Sequence, residues 1–250
     1  MRLLLINPNI SDSVSELIRS EALRSAAPQT QITVATAAFG VAYIETRFEA
    51  MIGAYAAAER AAELEGSYDA VVVAAFGDPG LLALREVLKC PVTGLTEAAL
   101  ASAMLLGQKF SIVAISQRIR AWYRETVDSY GLSSRLCSIR ALDEPLADIG
   151  SVQADQGQRL VALAKRCVVE DGADVIILAG APLAGLARTV REQLPVPVVD
   201  GVSSAVQHAQ TLFALQPVAT TAGSFAPPPQ KPNKGLSPAL VRLLSGNASA

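Results

Sequence analysis

Short, unbroken runs of Val, Ile, Leu and Ala alternate along this chain with longer segments in which apolar residues recur every three or four positions. Unbroken apolar runs mark strands buried on both faces, and the longer period marks helices with one buried stripe. The pattern predicts strands at 3–6, 32–35, 70–74, 92–94, 111–115, 136–139, 174–178 and 196–199. Between them it predicts helices from Ser11 or Ser13 to Ser25 and over 49–64, 80–87, 97–106, 117–130, 153–170, 184–193 and 202–213. Strands alternating with helices of this length form βαβ units, so the fold class is α/β with parallel sheets.

The order repeats. Strand 3–6 leads to strand 70–74, and strand 111–115 leads to strand 174–178 at a similar spacing. Each later strand runs into a turn of small residues and proline, first Ala74-Ala75-Phe76-Gly77-Asp78-Pro79-Gly80, then Ala179-Gly180-Ala181-Pro182-Leu183-Ala184-Gly185. Two pseudo-symmetric Rossmann-like lobes would set these turns at the carboxyl ends of their strands, facing a shared cleft. Ligands of open α/β sheets usually bind there. The expected division is 1–95 plus about 200–215 for one lobe and 96–199 for the other. Residues 216–250, with Pro227-Pro228-Pro229, Lys231 and Lys234, form a proline-rich tail expected to be extended or mobile, with a short docked helix at 237–244.

Composition narrows the function classes. The 250 residues are 51% hydrophobic and 18% charged, ample for a buried core, and the net charge is −2. A nucleic-acid partner would require a basic face, and none is evident. No basic amphipathic stretch points to a membrane surface, and the run 3–6 is too short for a secretory core. Cys90, Cys137 and Cys167 are odd in number and lack CxxC spacing, as expected of reduced thiols. The expectation is a soluble, cytoplasmic protein.

The motifs Ile6-Asn7-Pro8-Asn9, Tyr43-Ile44-Glu45, Phe76-Gly77-Asp78-Pro79-Gly80 and Gly94-Leu95-Thr96-Glu97-Ala98-Ala99, with Gly180 in the second turn, span most of 1–215. Their order and spacing resemble those of hydantoin and allantoin racemases, within the wider Asp/Glu and hydantoin racemase superfamily. The resemblance implies an active site between the lobes, no metal and no organic cofactor, and a homo-oligomer by analogy. It also implies a two-base relay, in which a thiolate on one lobe removes a proton and a thiol on the other returns one to the opposite face. The resemblance places those cysteines at Ala75 and Ala181. A methyl group carries no exchangeable proton. Either the alanines are an engineered inactive form, or the chain is a natural branch that abandoned racemisation; Pro182-Leu183 after Ala181 departs from the family pattern and favours the branch.

Without thiols the chemistry falls to carboxylates, hydroxyls and backbone amides. Glu45 is the first candidate, as acceptor for ring N–H groups or general base on water, against a solvated loop glutamate. Asp78 either polarises a water or serves as turn and cap. Glu97 divides in the same way between the cleft and a helix first turn. Asn7 and Asn9 offer donor and acceptor to a cyclic amide, or make a turn. Ile44, Ala75, Phe76, Gly77, Thr96, Ser116, Gly180, Ala181 and Pro182 complete the expected binding surface. Ser116 can bind ligand or cap a helix, and Arg118 can pair with a substrate carboxylate or remain solvated. His208 reads as a surface-helix residue, and Trp122 and Tyr123 as packing. No Walker loop, GxGxxG or HExxH is present. The leading expectation is a non-racemising enzyme for a hydantoin-like five-membered cyclic amide, with water attacking C2 of a 2-thiohydantoin to release sulfide. The rivals are a racemase inactivated by Cys-to-Ala changes and a non-catalytic small-ligand binder.

Overall fold

Among the described residues, eight strands form two parallel sheets with the same internal order. β1 (Arg2–Asn7), β2 (Gln31–Thr36), β3 (Ala70–Val73) and β4 (Val92–Gly94) are arranged β2-β1-β3-β4; β5 (Phe110–Ala114), β6 (Leu136–Ala141), β7 (Val175–Leu178) and β8 (Val198–Asp200) are arranged β6-β5-β7-β8. This computed structural model describes residues 1–143, 148–215 and 219–246, so both ends of the expected tail lie outside the described residues. The helices follow the same duplication: α1 (Asp12–Ser25), α2 (Arg47–Glu63), α3 (Leu81–Val87) and α4 (Leu95–Leu106), then α5 (Arg120–Ser129), α6 (Val152–Val169), α7 (Leu186–Val190) and α8 (Gly201–Ala214).

Strand alternation divides the core. Leu3 and Leu5 face inward with Phe110, Ile112, Val175 and Ile177, and α1, α4, α5 and α8 fill the layer between the sheets. Leu4 and Ile6 face outward to Ala57 and Ala61 of α2 and Leu81 and Leu84 of α3. Val113 and Ile176 face α6 and α7 on the outer side of the second sheet. The last helix of each half crosses over: α8 packs on β3 and β4, α4 on β7 and β8, and the two pack together. Gly201 permits this crossing, because a Cβ there would lie 2.7 Å from Leu95 Cβ. One continuous inner core therefore holds both carboxyl-terminal edges in register.

Two predicted helices are interrupted. The segment 117–130 opens with a 3-10 turn, Gln117–Ile119, whose first free N–H is taken by Ser116, before α5 begins. The segment 184–193 is cut at Gly185, which adopts φ 80° before α7 and is preceded by a 3-10 turn over Ala181–Leu183. The tail helix α9 (Pro238–Ser245) buries Leu240 and Leu243 against Ala62 of α2, and Ser237 donates to Glu59 at 2.7 Å. Among the described residues no helix is long and apolar enough to cross a membrane.

Candidate active site

The two small-residue turns leave β3 and β7 in matching ways. Ala74 N–H donates to Ile6 O and Ala179 N–H to Val113 O, each at 2.8 Å, so each turn is tied to the neighbouring central strand. Gly80 (φ 80°, ψ 1°) and Gly185 (φ 80°, ψ −9°) then start α3 and α7 from the left-handed region, which glycine enters without a Cβ penalty. Ala75 and Ala181 are buried methyls within these turns.

The first turn is locked by a carboxylate. Asp78, the one non-glycine residue with positive φ among the described residues (49°), accepts from Thr96 N and Glu97 N and from the Tyr130 hydroxyl, all at 2.8 Å. Gly94 makes room for it, since a Cβ there would meet Asp78 Oδ1 at 2.3 Å. Burial pushes the Asp78 pKa up to about 6, against the opposing pull of those three donors. Both oxygens are spent on the start of α4, which is the cap alternative rather than a free base. Thr96 Oγ1 in turn accepts from Gly77 N, and Glu97 is held in an ion pair by Arg85. Gly77 (φ 96°) lies under the Trp122 ring so closely that a Cβ would approach it to 2.2 Å. Phe76 packs on Tyr123 with ring centroids 4.7 Å apart. Trp122, Tyr123 and Tyr130 all come from the α5 region of the opposite lobe.

The second turn is held by neutral donors and a distant acid. Gln153 Nε2 donates to Pro182 O at 2.8 Å and Ala184 O at 2.9 Å. Behind it, the buried Glu21 of α1 accepts from Arg188 of α7 at 2.8 Å and from Ser25 at 2.9 Å. Glu21 falls on the same stripe of α1 as Val14, Ile18 and Ala22, a signal visible in the sequence but not used there.

The loop before α2 carries the Tyr43-Ile44-Glu45 motif and is fixed at its end by a helix cap. Thr46 and Glu49 make a capping box in which Glu49 Oε2 accepts from Glu45 N at 2.8 Å and Thr46 N at 2.9 Å. This pins the Glu45 backbone, while its half-buried carboxylate has no hydrogen-bond or ion-pair partner among the described residues. Buried Ile44 fits over Gly53, where a Cβ would come within 2.7 Å of its Cδ1. Tyr43 reaches across and packs against the second lobe's core. Its hydroxyl is buried without a partner among the described residues. Burial, with Tyr123, Glu45 and Glu49 nearby, raises its pKa well above the usual tyrosine range. Within the Tyr43-Ile44-Glu45 motif, the sequence alone marks no role for the tyrosine hydroxyl.

The other predicted residues divide. Asn7, fully buried, is consumed by its own turn: Nδ2 donates to Asn9 Oδ1 at 3.0 Å, Ser11 O at 3.1 Å and Ser15 Oγ at 3.0 Å. Asn9 Oδ1 also accepts from Ser11 N at 2.9 Å, which leaves its Nδ2 uncommitted among the described residues. Ser116 Oγ accepts from Arg118 N at 3.1 Å, and Arg118 itself is exposed. His208 is half-buried and hydrogen-bonds Ser102 of α4 at 3.1 Å, so it fastens the crossing helices instead of lying free on the surface. The thiols lie elsewhere. Cys90 precedes β4, where burial pushes it up to about 12, Cys137 sits on edge strand β6, and Cys167 on α6; burial raises both of the latter as well. Among the described residues, no group of His, Cys, Asp and Glu is placed to hold a metal ion.

Comparison with known proteins agrees with this architecture. The profile described as Asp/Glu/Hydantoin racemase matches residues 3–209. A hydantoin racemase of Paenarthrobacter aurescens is 36% identical over 236 residues, covering 92% of this chain and 99% of that protein. The structure of an allantoin racemase from Klebsiella pneumoniae superposes with a TM-score of 0.91 at 34% identity, covering 96% of this chain and 98% of that one. An arylmalonate decarboxylase structure shares the fold alone, with a TM-score of 0.67 at 17% identity over 84% of this chain and 92% of that one.

Proposed function

The chain belongs to the Asp/Glu/hydantoin racemase family, and from that premise we propose that it acts on a hydantoin-type five-membered cyclic amide without racemising it. The observation that supports this reading is the chemistry at and beside the two turns: buried methyls at Ala75 and Ala181, and a carboxylate at Glu45 that is pinned at its backbone and uncommitted at its oxygens among the described residues. Proton exchange at a stereocentre requires an acid and a base on opposite faces of a planar carbanion. Alanine supplies neither, and the three cysteines lie outside both turns.

A single carboxylate suits attack by water on an activated ring carbon. In a 2-thiohydantoin that carbon is C2. Glu45 takes a proton from water as oxygen bonds to C2, and the C=S π pair moves to sulfur. The C–S bond then breaks as the C2 carbonyl forms; sulfur takes the proton held by Glu45 and the proton given up by the new C2 hydroxyl, and leaves as hydrogen sulfide. One water is consumed and one hydrogen sulfide released, with no change of oxidation state and no cofactor. Asp78, fully engaged with α4, positions the first turn and takes no part in proton transfer. Incubation with 2-thiohydantoins should yield sulfide and the corresponding hydantoin, and Glu45→Gln should reduce the rate by about a hundredfold or more, the usual contribution of a general base. Equal rates for the two proteins would remove Glu45 from the mechanism.

A second reading follows from the 36% identity to a hydantoin racemase. In it the chain is a racemase lacking its two thiols. The double change Ala75→Cys with Ala181→Cys should then abolish the optical rotation of a chiral hydantoin over time, and an inert double variant would eliminate it.

A further inference from the structure

We propose that the Tyr43 hydroxyl is the hydrogen-bond donor for the ligand's exocyclic C2 acceptor, the sulfur of a 2-thiohydantoin or the oxygen of a hydantoin. The assignment rests on the cyclic-amide reading of the cleft.

The hydroxyl is one of only two buried side-chain polar atoms without a partner among the described residues, the other being Arg60 Nε. A buried hydroxyl left unpaired costs about 1–3 kcal/mol, so phenylalanine at this position would make a more stable apoprotein. The hydroxyl does not fasten its own loop, because other groups do so. Ile10 N–H donates to Val41 O at 3.1 Å, the capping box holds Glu45 and Thr46, and Arg47 of α2 pairs with Glu125 of α5 across the lobes. The charged groups facing the hydroxyl do not bond it either. Glu49 is committed to the capping box, and Glu45 lies near without a hydrogen bond to it.

Its position suits a ligand. The ring seats on the second lobe's core while its backbone belongs to the first lobe, and the neighbouring Tyr123 packs on Phe76, next to Ala75. The donor therefore stands between the lobes, close to the first turn and to Glu45. Burial and the nearby carboxylates keep the phenol protonated at neutral pH, so it donates as a neutral group. As water adds to C2, negative charge collects on the exocyclic atom. A donor already oriented in a dry site stabilises that charge more than it stabilises the starting ring. No proton has to leave Tyr43, and the expelled sulfur takes the proton carried by Glu45 and that of the C2 hydroxyl.

The test is Tyr43→Phe, which keeps the ring and removes only the hydroxyl. Without ligand, its melting temperature should equal or exceed that of the parent. Hydantoin and 2-thiohydantoin, which should stabilise the parent, should bind the variant about tenfold more weakly, and sulfide release should fall further still. Equal ligand stabilisation of parent and variant would overturn the role of Tyr43 and leave the cyclic-amide reading intact. Loss of stability in the unliganded variant would show that the hydroxyl is a structural bond and overturn it likewise. If neither ring stabilises the parent, the cyclic-amide reading fails, and the assignment fails with it.

Discussion

The turn after β3 and the turn after β7 share their entry and their exit, yet they are held by different chemistry. Both are tied to the central strand beside them, and both end at a left-handed glycine. The first is locked by an aspartate carboxylate with three donors and is roofed by Trp122. The second rests on the neutral amide of Gln153 and, through α7, on Glu21. In each case part of the brace comes from the opposite lobe: the α5 aromatics hold the first turn, and α1 supports the second. Duplication has kept the geometry of the cleft edges, while each half has acquired its own chemistry.

The sharpest way to break this comparison is to add one methyl group to each turn. Gly77→Ala meets both an indole ring at 2.2 Å and a φ of 96°, and should cost about 4 kcal/mol or prevent folding. Gly180→Ala has φ 111° but nothing nearer than Pro182 Cδ at 3.5 Å, so backbone strain alone should cost about 1–2 kcal/mol. Denaturant midpoints for the two variants measure the difference, and equal losses would mean that the Trp122 roof is no constraint.

A smaller effect separates the charged lock from the neutral one. The Asp78 pKa in the folded chain, about 6, lies above its unfolded value, so the folded state holds its proton more tightly. The resulting stability is fully present below the unfolded pKa and is lost as pH rises through about 6. Measured against Asp78→Asn, which does not titrate, the parent should lose about 2 kcal/mol between about pH 4 and 6. A pH-independent difference would mean that the three donors fully offset the burial. The second turn contains no acid, so Gln153→Ala should show no such pH dependence.

Much of the fold was legible because both sheets are buried on both faces. Runs such as Ala70–Val73 and Val175–Leu178 are short and rich in β-branched residues, which favours strand over buried helix. Helix starts were less legible where the cap is remote. Helix α4 begins at Leu95, two residues before the predicted start, because its free N–H groups are satisfied by Asp78, distant in sequence. The site was legible in its motifs and obscure in its division of labour. Asn7 has the right atoms for a cyclic amide, but neighbours within eight positions consume them. Trp122 and Tyr130 act across the lobes, and no local pattern reveals that. An unpaired hydroxyl such as that of Tyr43 is a property of three-dimensional packing.

The central claim is that this cleft performs water chemistry at C2 rather than proton exchange at the ring stereocentre. Both can be read in one experiment: a single enantiomer of a C5-substituted 2-thiohydantoin incubated in heavy water, followed by sulfide assay and mass spectrometry. Sulfide release with a hydantoin product, and no deuterium at C5 beyond the protein-free rate, is the predicted result. Deuterium incorporation at C5 above that rate, without sulfide, would contradict the account.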